Sequence, residues 1–361
     1  MDNIVIAGTR NFGAVSAVTP KDSYNVGSMK SRPSLLFTCS LLMMVALVAC
    51  DKQQTSAAAA PEVKPATEAT VLPATQPSSS SSPTNLPKPD VSGERVMQYV
   101  KDVVAFGPRP PGSAAHEKLE QFILSKLKGV QVEQDKFTAQ TPVGKMPVNN
   151  IIAKFPGKKN GIIVVAGHYD TLYSQRKDFV GANDAGSSTA LLLELADQLR
   201  GRGQLDGYNV WLVWTDAEEA FVNWFTNNDN DYGSRQLAHK WQQDGTAKQI
   251  KAFILVDMIG DADLDILKDT NSTPWLTDLV YQAASNLGYQ SHFYKYSTGM
   301  DDDHIPFAKV GIPVVDIIDF DYGYNNVFWH TPQDTVDKLS PQSLAISTDV
   351  VLETMRLVDE R

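Results

Sequence analysis

The chain has 361 residues, of which 42% are hydrophobic and 20% charged, enough for one large or two small globular domains. A formal net charge of −10, with no Lys/Arg cluster in the body, excludes a protein that neutralises nucleic-acid phosphates and points to small or peptide partners. Both cysteines, Cys39 and Cys50, lie near the N-terminus, so a metal site further along must be built from His, Asp and Glu.

Residues 1–28 read as an upstream extension or a mis-assigned start, with Met29 as the alternative start. Residues 29–50 carry Lys30 and Arg32, an apolar stretch over 35–48 too short to span a membrane comfortably, and the small-residue site Leu47-Val48-Ala49-Cys50. This pattern resembles a bacterial lipoprotein signal. The resemblance implies lipidation at Cys50 and a body on the periplasmic side of the cell envelope, lipid-anchored to a membrane; a plain N-terminal membrane anchor is the alternative. Residues 51–90 are rich in Ala, Pro, Ser and Thr and hold too few large apolar residues to bury a core, so they read as a disordered tether before a catalytic body over 91–361.

Within the body, Val96, Tyr99, Val100 and Val103 fall at helical spacing, and the Pro- and Gly-rich run from Phe106 to Ser113 must end that helix. A second helix is predicted over 114–128, with Leu119, Phe122, Ile123 and Leu127 on one face, followed by strands over 130–137 and 148–155. The centre then changes rhythm. Short, nearly continuous apolar runs at 161–166, 210–214, 252–256 and 312–315 suit strands covered on both faces, and helical segments such as 188–200 and 277–287 lie between them. The predicted architecture is α/β, a mostly parallel central sheet with helices on both faces.

Polar motifs follow those strands. His168 and Asp170, then Glu218 and Glu219, then Asp257 stand at strand C-terminal ends, the edge where open α/β sheets place their ligand crevice. Asp184 in Gly181-Ala182-Asn183-Asp184, Asp302 in Asp302-Asp303-His304 and His330 in Trp329-His330-Thr331 complete a set of hard and borderline ligands suited to zinc, with carboxylates to spare. Singly, each has a bland explanation: Asp184 as a loop or helix-start residue, Glu218-Glu219 as a solvated strand end, Asp257 as a turn. Joint occurrence is what singles them out. His116, His239 and His292 read as surface or packing residues without a role.

From Gly107 to Leu339 the chain resembles the animal-type, zinc-dependent glutaminyl-peptide cyclotransferases, which share the aminopeptidase-like zinc-hydrolase fold. The resemblance implies one zinc held by Asp184, Glu219 and His330, with Glu218 as general acid/base and Asp257 and Asp302 as carboxylates hydrogen-bonded around it. Trp224, in Glu218-Glu219-Ala220-Phe221 and the three residues beyond, and Trp329 match the aromatic pocket walls. The implied partners are peptides or proteins with N-terminal Gln. Their cyclisation needs the α-amine freed of its proton and the γ-amide carbonyl polarised, for which a Lewis acid and a nearby base suffice.

Two other readings fit the same residues. A dizinc aminopeptidase would use His168, Asp184, Glu219, Asp257 and His330 around two metals, with Glu218 activating water. A non-catalytic envelope binding lipoprotein would keep the fold alone. Asp302, where the aminopeptidases compared usually carry Ser, and Trp224 favour the cyclase. Departures from the animal pattern are Gly167 and Thr189, where a cysteine pair is common, and the segment from Tyr322 to Phe328, whose pocket-lining aromatic the sequence leaves open.

Overall fold

In the computed structural model, which describes residues 85–173, 178–226 and 228–361, the chain alternates strands and helices as the apolar rhythm predicts. The strands are β1 (Gln131–Thr141), β2 (Gly144–Phe155), β3 (Gly157–His168), β4 (Leu205–Thr215), β5 (Ile250–Asp257), β6 (Ile266–Asp269), β7 (Phe293–Thr298) and β8 (Val314–Ile318). The α-helices are α1 (Gly93–Val104), α2 (Ala114–Lys126), α3 (Gly186–Leu199), α4 (Tyr232–Asp244), α5 (Pro274–Leu287), α6 (His304–Lys309) and α7 (Pro341–Glu360). The upstream extension, the signal sequence, Cys50 and the tether up to residue 84 lie outside the described residues. Among the described residues no helix is long and apolar enough to cross a membrane. Leu86 is buried in the core, and the Val91 N–H donates to the Asp349 carboxylate, so packing begins before residue 91, where the body is expected to start.

One six-stranded sheet has the order β1-β2-β4-β3-β5-β8. β4, β3, β5 and β8 run parallel, while β1 and β2 form an antiparallel hairpin that adds to β4 at one edge. The parallel strands are buried on both faces, which is why their sequences read as unbroken apolar runs. Along β3, Ile163 and Val165 face a core built with α1, α3 and α7, while Ile162, Val164 and Ala166 face a second core with Leu237 and Trp241 of α4 and Phe307 of α6. Full burial of each such side chain contributes roughly 1.5–3 kcal/mol, and this doubly covered centre fixes where the strand ends lie.

Boundaries differ from the predicted ones for local reasons. β8 starts at Val314 instead of residue 312, because Pro313 has no N–H to give to the ladder; its carbonyl accepts from the Phe253 N–H. α2 is capped at its start by the Ser113 hydroxyl, which accepts from the His116 N–H, and ends at Lys126, shortly before Gly129 at φ 84°. β6 and β7 pair in a separate small parallel sheet.

The end of β3 is fastened to the first turn of α3. Both the Ser188 and Thr189 hydroxyls donate to the His168 carbonyl, where the resembled family commonly carries a cysteine pair. Gly167 allows this approach: a Cβ there would lie 2.7 Å from the Ser188 Cβ and 2.9 Å from the Val256 carbonyl oxygen. Gly167→Ala is therefore expected to lower stability by about 1–3 kcal/mol, read as a drop in the denaturation midpoint. An unchanged midpoint would show that this strand–helix contact has slack.

Candidate metal and catalytic site

Three neighbouring parallel strands deliver their first polar residues to one edge. β3 ends on His168, β4 leads through Asp216 and Ala217 into Glu218 and Glu219, and β5 ends on Asp257. Asp184 comes from the loop before α3, Asp302 from the turn before α6, and His330 from the loop before α7. Ala217, Met258 and His330 have φ of 55°, 46° and 53°, a left-handed conformation costing non-glycine residues on the order of 1–3 kcal/mol each. All three sit in or beside the site, where sharp backbone reversals turn the neighbouring side chains inward.

Asp184 is the hub. Its Oδ2 lies 3.3 Å from His330 Nε2, which is 3.2 Å from Glu219 Oε1; its Oδ1 lies 3.1 Å from His168 Nε2, which is 3.3 Å from Asp257 Oδ1. Two potential donor sets thus share one carboxylate: Asp184, Glu219 and His330, and His168, Asp184 and Asp257, each with its ligand atoms within 4.8 Å of one another. The first set fits zinc, since two carboxylates and an imidazole form the three-ligand arrangement of a catalytic site. Both Glu219 carboxylate oxygens are buried without a hydrogen-bond donor, which a cation would satisfy.

Electrostatics follow from packing so many acids out of water. Burial pushes Glu219 up to about 6, with His330 opposing and Asp184 adding to the rise. Burial disfavours the charged His330 ring, yet Glu219 and Asp184 outweigh it and hold the imidazole up to about 10. Burial also disfavours charge on Asp184, but His168 and His330 hold its carboxyl below the usual range. A divalent cation changes this balance, because ligation requires ionised carboxylates and a neutral imidazole. Burial drives Glu218 well above the ordinary carboxylate range; His168 opposes the shift, and Glu219, Asp302 and Asp303 add to it. Asp302 is also raised well above normal, first by burial and then by Asp316, Asp257 and Asp303. Two buried carboxyls that hold protons readily therefore stand beside the donor set.

Supporting residues carry roles that the sequence did not reveal. The Asp170 carboxylate accepts from the backbone N–H groups of both Glu218 and Glu219, at 3.2 and 3.3 Å. Asp334 accepts from the N–H groups of Asn183 and Asp184, and from the Tyr322 hydroxyl at 2.7 Å. The buried Arg109 guanidinium donates to the carbonyls of Gly107, Val180 and Gly181, fixing the loop that leads to Asp184. His116, read from sequence as a packing residue, contacts Asp216 at 2.7 Å and stacks on Tyr169, bracing the stretch before Glu218. The only sequence signal for these was proximity to motifs; their partners are remote in the chain.

A cavity of about 590 Å³ opens onto the donor set. Its walls include Trp224 and Trp329, with Glu218, Asp257 and Asp302 alongside Asp184, Glu219 and His330. Trp329 stacks on His330 at 4.0 Å and meets Phe320 edge-on at 5.0 Å. No aromatic between Tyr322 and Phe328 lines the cavity: Tyr322 is buried against Asp334, Phe328 packs edge-on against Tyr322, and Tyr324 is exposed, whereas Phe320, just before the segment, is on the lining. Asp184, Glu218, Glu219, Trp224, Asp257, Asp302, Trp329 and His330 all line this cavity, and His168 contacts Asp184 and Asp257 without lining it.

A mixed α/β sheet with acidic residues and histidines converging at its parallel strand ends defines a metallohydrolase-type scaffold. The sequence profile of Peptidase family M28 matches residues 150–355, and the chain belongs to that family. It is similar to the crystal structure of an Acidobacteriales bacterium glutaminyl cyclase, at 46% identity and TM-score 0.74, over 77% of this chain and 98% of that one. It is 30% identical to a glutaminyl-peptide cyclotransferase of Boiga irregularis, over 65% of this chain and 73% of that protein. A Zn-dependent exopeptidase from Parabacteroides distasonis shares the fold at 26% identity and TM-score 0.65, over 76% of this chain and all of that one.

Asp334 grips the backbone on either side of the Asn183–Asp184 peptide without touching the donor atoms, so it should act on the metal through Asp184. Asp334→Ala is expected to weaken zinc binding by about 10–100-fold in a chelator competition. Unchanged affinity would show that Asp184 is positioned without it.

Proposed function

We propose that the chain is a zinc-dependent glutaminyl-peptide cyclotransferase that converts N-terminal Gln of peptides or proteins to pyroglutamate, releasing ammonia. The observation that carries this reading is the composition of the cavity: one wall holds the zinc-type donors, another the proton-holding carboxyls Glu218 and Asp302, and Trp224 and Trp329 supply apolar walls. The similarity to glutaminyl cyclases, at 46% identity for the Acidobacteriales protein, supports it.

Asp184, Glu219 and His330 would hold the zinc, whose chemistry when bound is that of a Lewis acid polarising the γ-amide carbonyl. The protein's own groups do the rest. An α-amine with an ordinary pKa around 7.7–8.0 is largely protonated near neutrality, and Glu218 takes that proton so that the nitrogen lone pair can attack the γ-amide carbon. As the ring closes, Glu218 gives its proton to the amide nitrogen, the bond between that nitrogen and the γ-carbon breaks and ammonia leaves; Glu218, ionised again, takes the surplus proton from the new ring nitrogen and releases it to the departing ammonia or to solvent. Asp302, whose own proton affinity Asp257 raises, helps keep Glu218 able to hold a proton between the two transfers. Trp224 and Trp329 fold the short side chain toward the attack geometry and exclude water, which would otherwise hydrolyse the amide to glutamate.

One observation favours a second reading. His168 stands within 3.3 Å of both Asp184 and Asp257, so the donors a dizinc aminopeptidase needs are also assembled. We infer a single zinc, because Asp302 and the tryptophan walls suit cyclisation. The reading also includes lipidation at Cys50 and a periplasmic position tethered to the envelope; this rests on the signal-like sequence from Met29 to Cys50.

Mass spectrometry of a peptide with N-terminal Gln and a matched peptide with N-terminal Leu decides between the readings. The expected result is loss of ammonia from the Gln peptide with the Leu peptide intact; release of the first residue from either identifies an aminopeptidase, and no change in both favours the binding-protein alternative. Glu218→Gln is expected to keep its zinc and lose about 10²–10⁴-fold in kcat, whereas full activity would remove Glu218 from the proton transfers.

A further inference from the structure

The chain carries a formal net charge of −10, yet one pole of its sheet is basic. Exposed cations stand where three parallel strands begin: Lys158 and Lys159 in β3, Arg200 and Arg202 before β4, and Lys248 and Lys251 around the start of β5. They are neighbours in space. Lys159 Nζ lies 5.3 Å from the Tyr208 ring centroid, and a Cβ at Gly161 would meet both Tyr208 and the Lys251 side chain at 2.8 Å. The Gln204 side chain, just before β4, donates to the Gly157 carbonyl where β3 starts, at 3.1 Å. Acids answer part of this charge: Asp206 is 2.6 Å from Lys158, Asp359 is 3.5 Å from Lys159 and Asp197 is 3.2 Å from Arg200. Among the described residues Arg202, Lys248 and Lys251 make no ion pair, which leaves the cations in excess.

The described chain enters the body at this same pole. The Asn85 side chain donates to the Gln204 carbonyl at 3.2 Å and accepts from the Asp206 N–H at 2.7 Å, and the Asn85 carbonyl accepts from the Arg202 guanidinium at 3.1 Å. The cavity lies at the other end. β4 runs from Leu205 to Thr215, about 33 Å at a rise of roughly 3.3 Å per residue, before the chain reaches Glu218 and Glu219.

We propose that this basic pole docks on a bilayer of anionic phospholipids, with the reaction cavity facing away from the membrane. The inference rests on the tethered reading of the chain and deepens it. A tether joined upstream of Asn85 delivers this pole to the bilayer first, and a long tether by itself leaves the body free to turn. Clustered cations give it a preferred side, because each Lys or Arg near an anionic surface gains roughly fivefold in partition, an attraction that salt screens. Peptide termini then reach the cavity from the aqueous side.

The test mixes the full chain with vesicles of phosphatidylglycerol or of phosphatidylcholine, sediments them, and maps lysine acylation by a water-soluble reagent with mass spectrometry. On phosphatidylglycerol, Lys158 and Lys251 are expected to react at least about fivefold more slowly than in the free chain, and about 0.5 M salt should remove the difference. Lys145 is the internal control: β2 runs antiparallel to β4 with Ile151 opposite Trp214, so exposed Lys145 lies beyond the cavity end of β4 and should react at the free rate. Replacing both unpaired lysines, Lys248→Gln with Lys251→Gln, should bring Lys158 to within about twofold of the free rate while thermal stability stays unchanged. Sedimentation with both lipids and free-rate labelling of all three lysines overturns the docking pole and leaves the tether standing. Sedimentation with phosphatidylglycerol alone, with Lys158 and Lys251 protected, supports the pole and overturns the tether. Equal protection of Lys145 and Lys158 contradicts the orientation, and sedimentation with neither lipid overturns pole and tether together.

Discussion

The structure turns on the cost of gathering carboxylates out of water. Asp184, Glu218, Glu219, Asp257 and Asp302 are all buried at one edge of the sheet, where like charges at short range are expensive unless a cation, a proton or a hydrogen bond answers each one. The site answers them differently, and its chemistry lies in that division. His330 and His168 flank the Asp184 hub, Glu219 keeps both oxygens free of hydrogen bonds, and Glu218 and Asp302 are left to hold protons. A zinc between Asp184, Glu219 and His330 would neutralise the first part of the cluster and leave the second for proton transfer.

Much of this was legible in the sequence because the parallel-sheet core and the site share a cause. Strands buried on both faces need continuous apolar runs, and such runs end abruptly on the first residues that reach the crevice, so His168, Glu218, Glu219 and Asp257 stand out as polar residues after an apolar stretch. Asp184, Asp302 and His330 lie in loops with no such marker; they stand out only by joint occurrence with the other ligand types, and the family resemblance supplies their roles. The bracing roles were not readable, even for Asp170, which stands out as a polar residue at a strand end. Arg109, Asp170 and Asp334 act through hydrogen bonds to backbone groups mostly dozens to more than a hundred residues away, and nothing in local composition records such partners. His116 illustrates the same limit: an isolated histidine in a helix, it gains its role only because the fold brings Asp216 and Tyr169 against it.

Rigidity comes at a backbone cost. Ala217, Met258 and His330 occupy left-handed conformations beside the functional side chains, and surrounding bonds hold them there: the N–H of Tyr232 to the Ala217 carbonyl, the Asn183 side chain to the Met258 carbonyl, and the Trp329 ring stacked on His330. The cavity mouth follows the same rule on a larger scale, with Asp229 and Asp269 fixing two apolar walls from behind. The family scaffold supports peptide hydrolysis as readily as cyclisation, so the deciding features are these placements, above all which of the shared carboxylates is left for a metal.

Anomalous scattering at the zinc edge from crystals of the zinc-loaded chain tests that division most directly. The account predicts one strong peak among Asp184, Glu219 and His330 and none between His168 and Asp257. A second peak of comparable height between His168, Asp184 and Asp257 would contradict it and make the site the two-metal centre of an aminopeptidase.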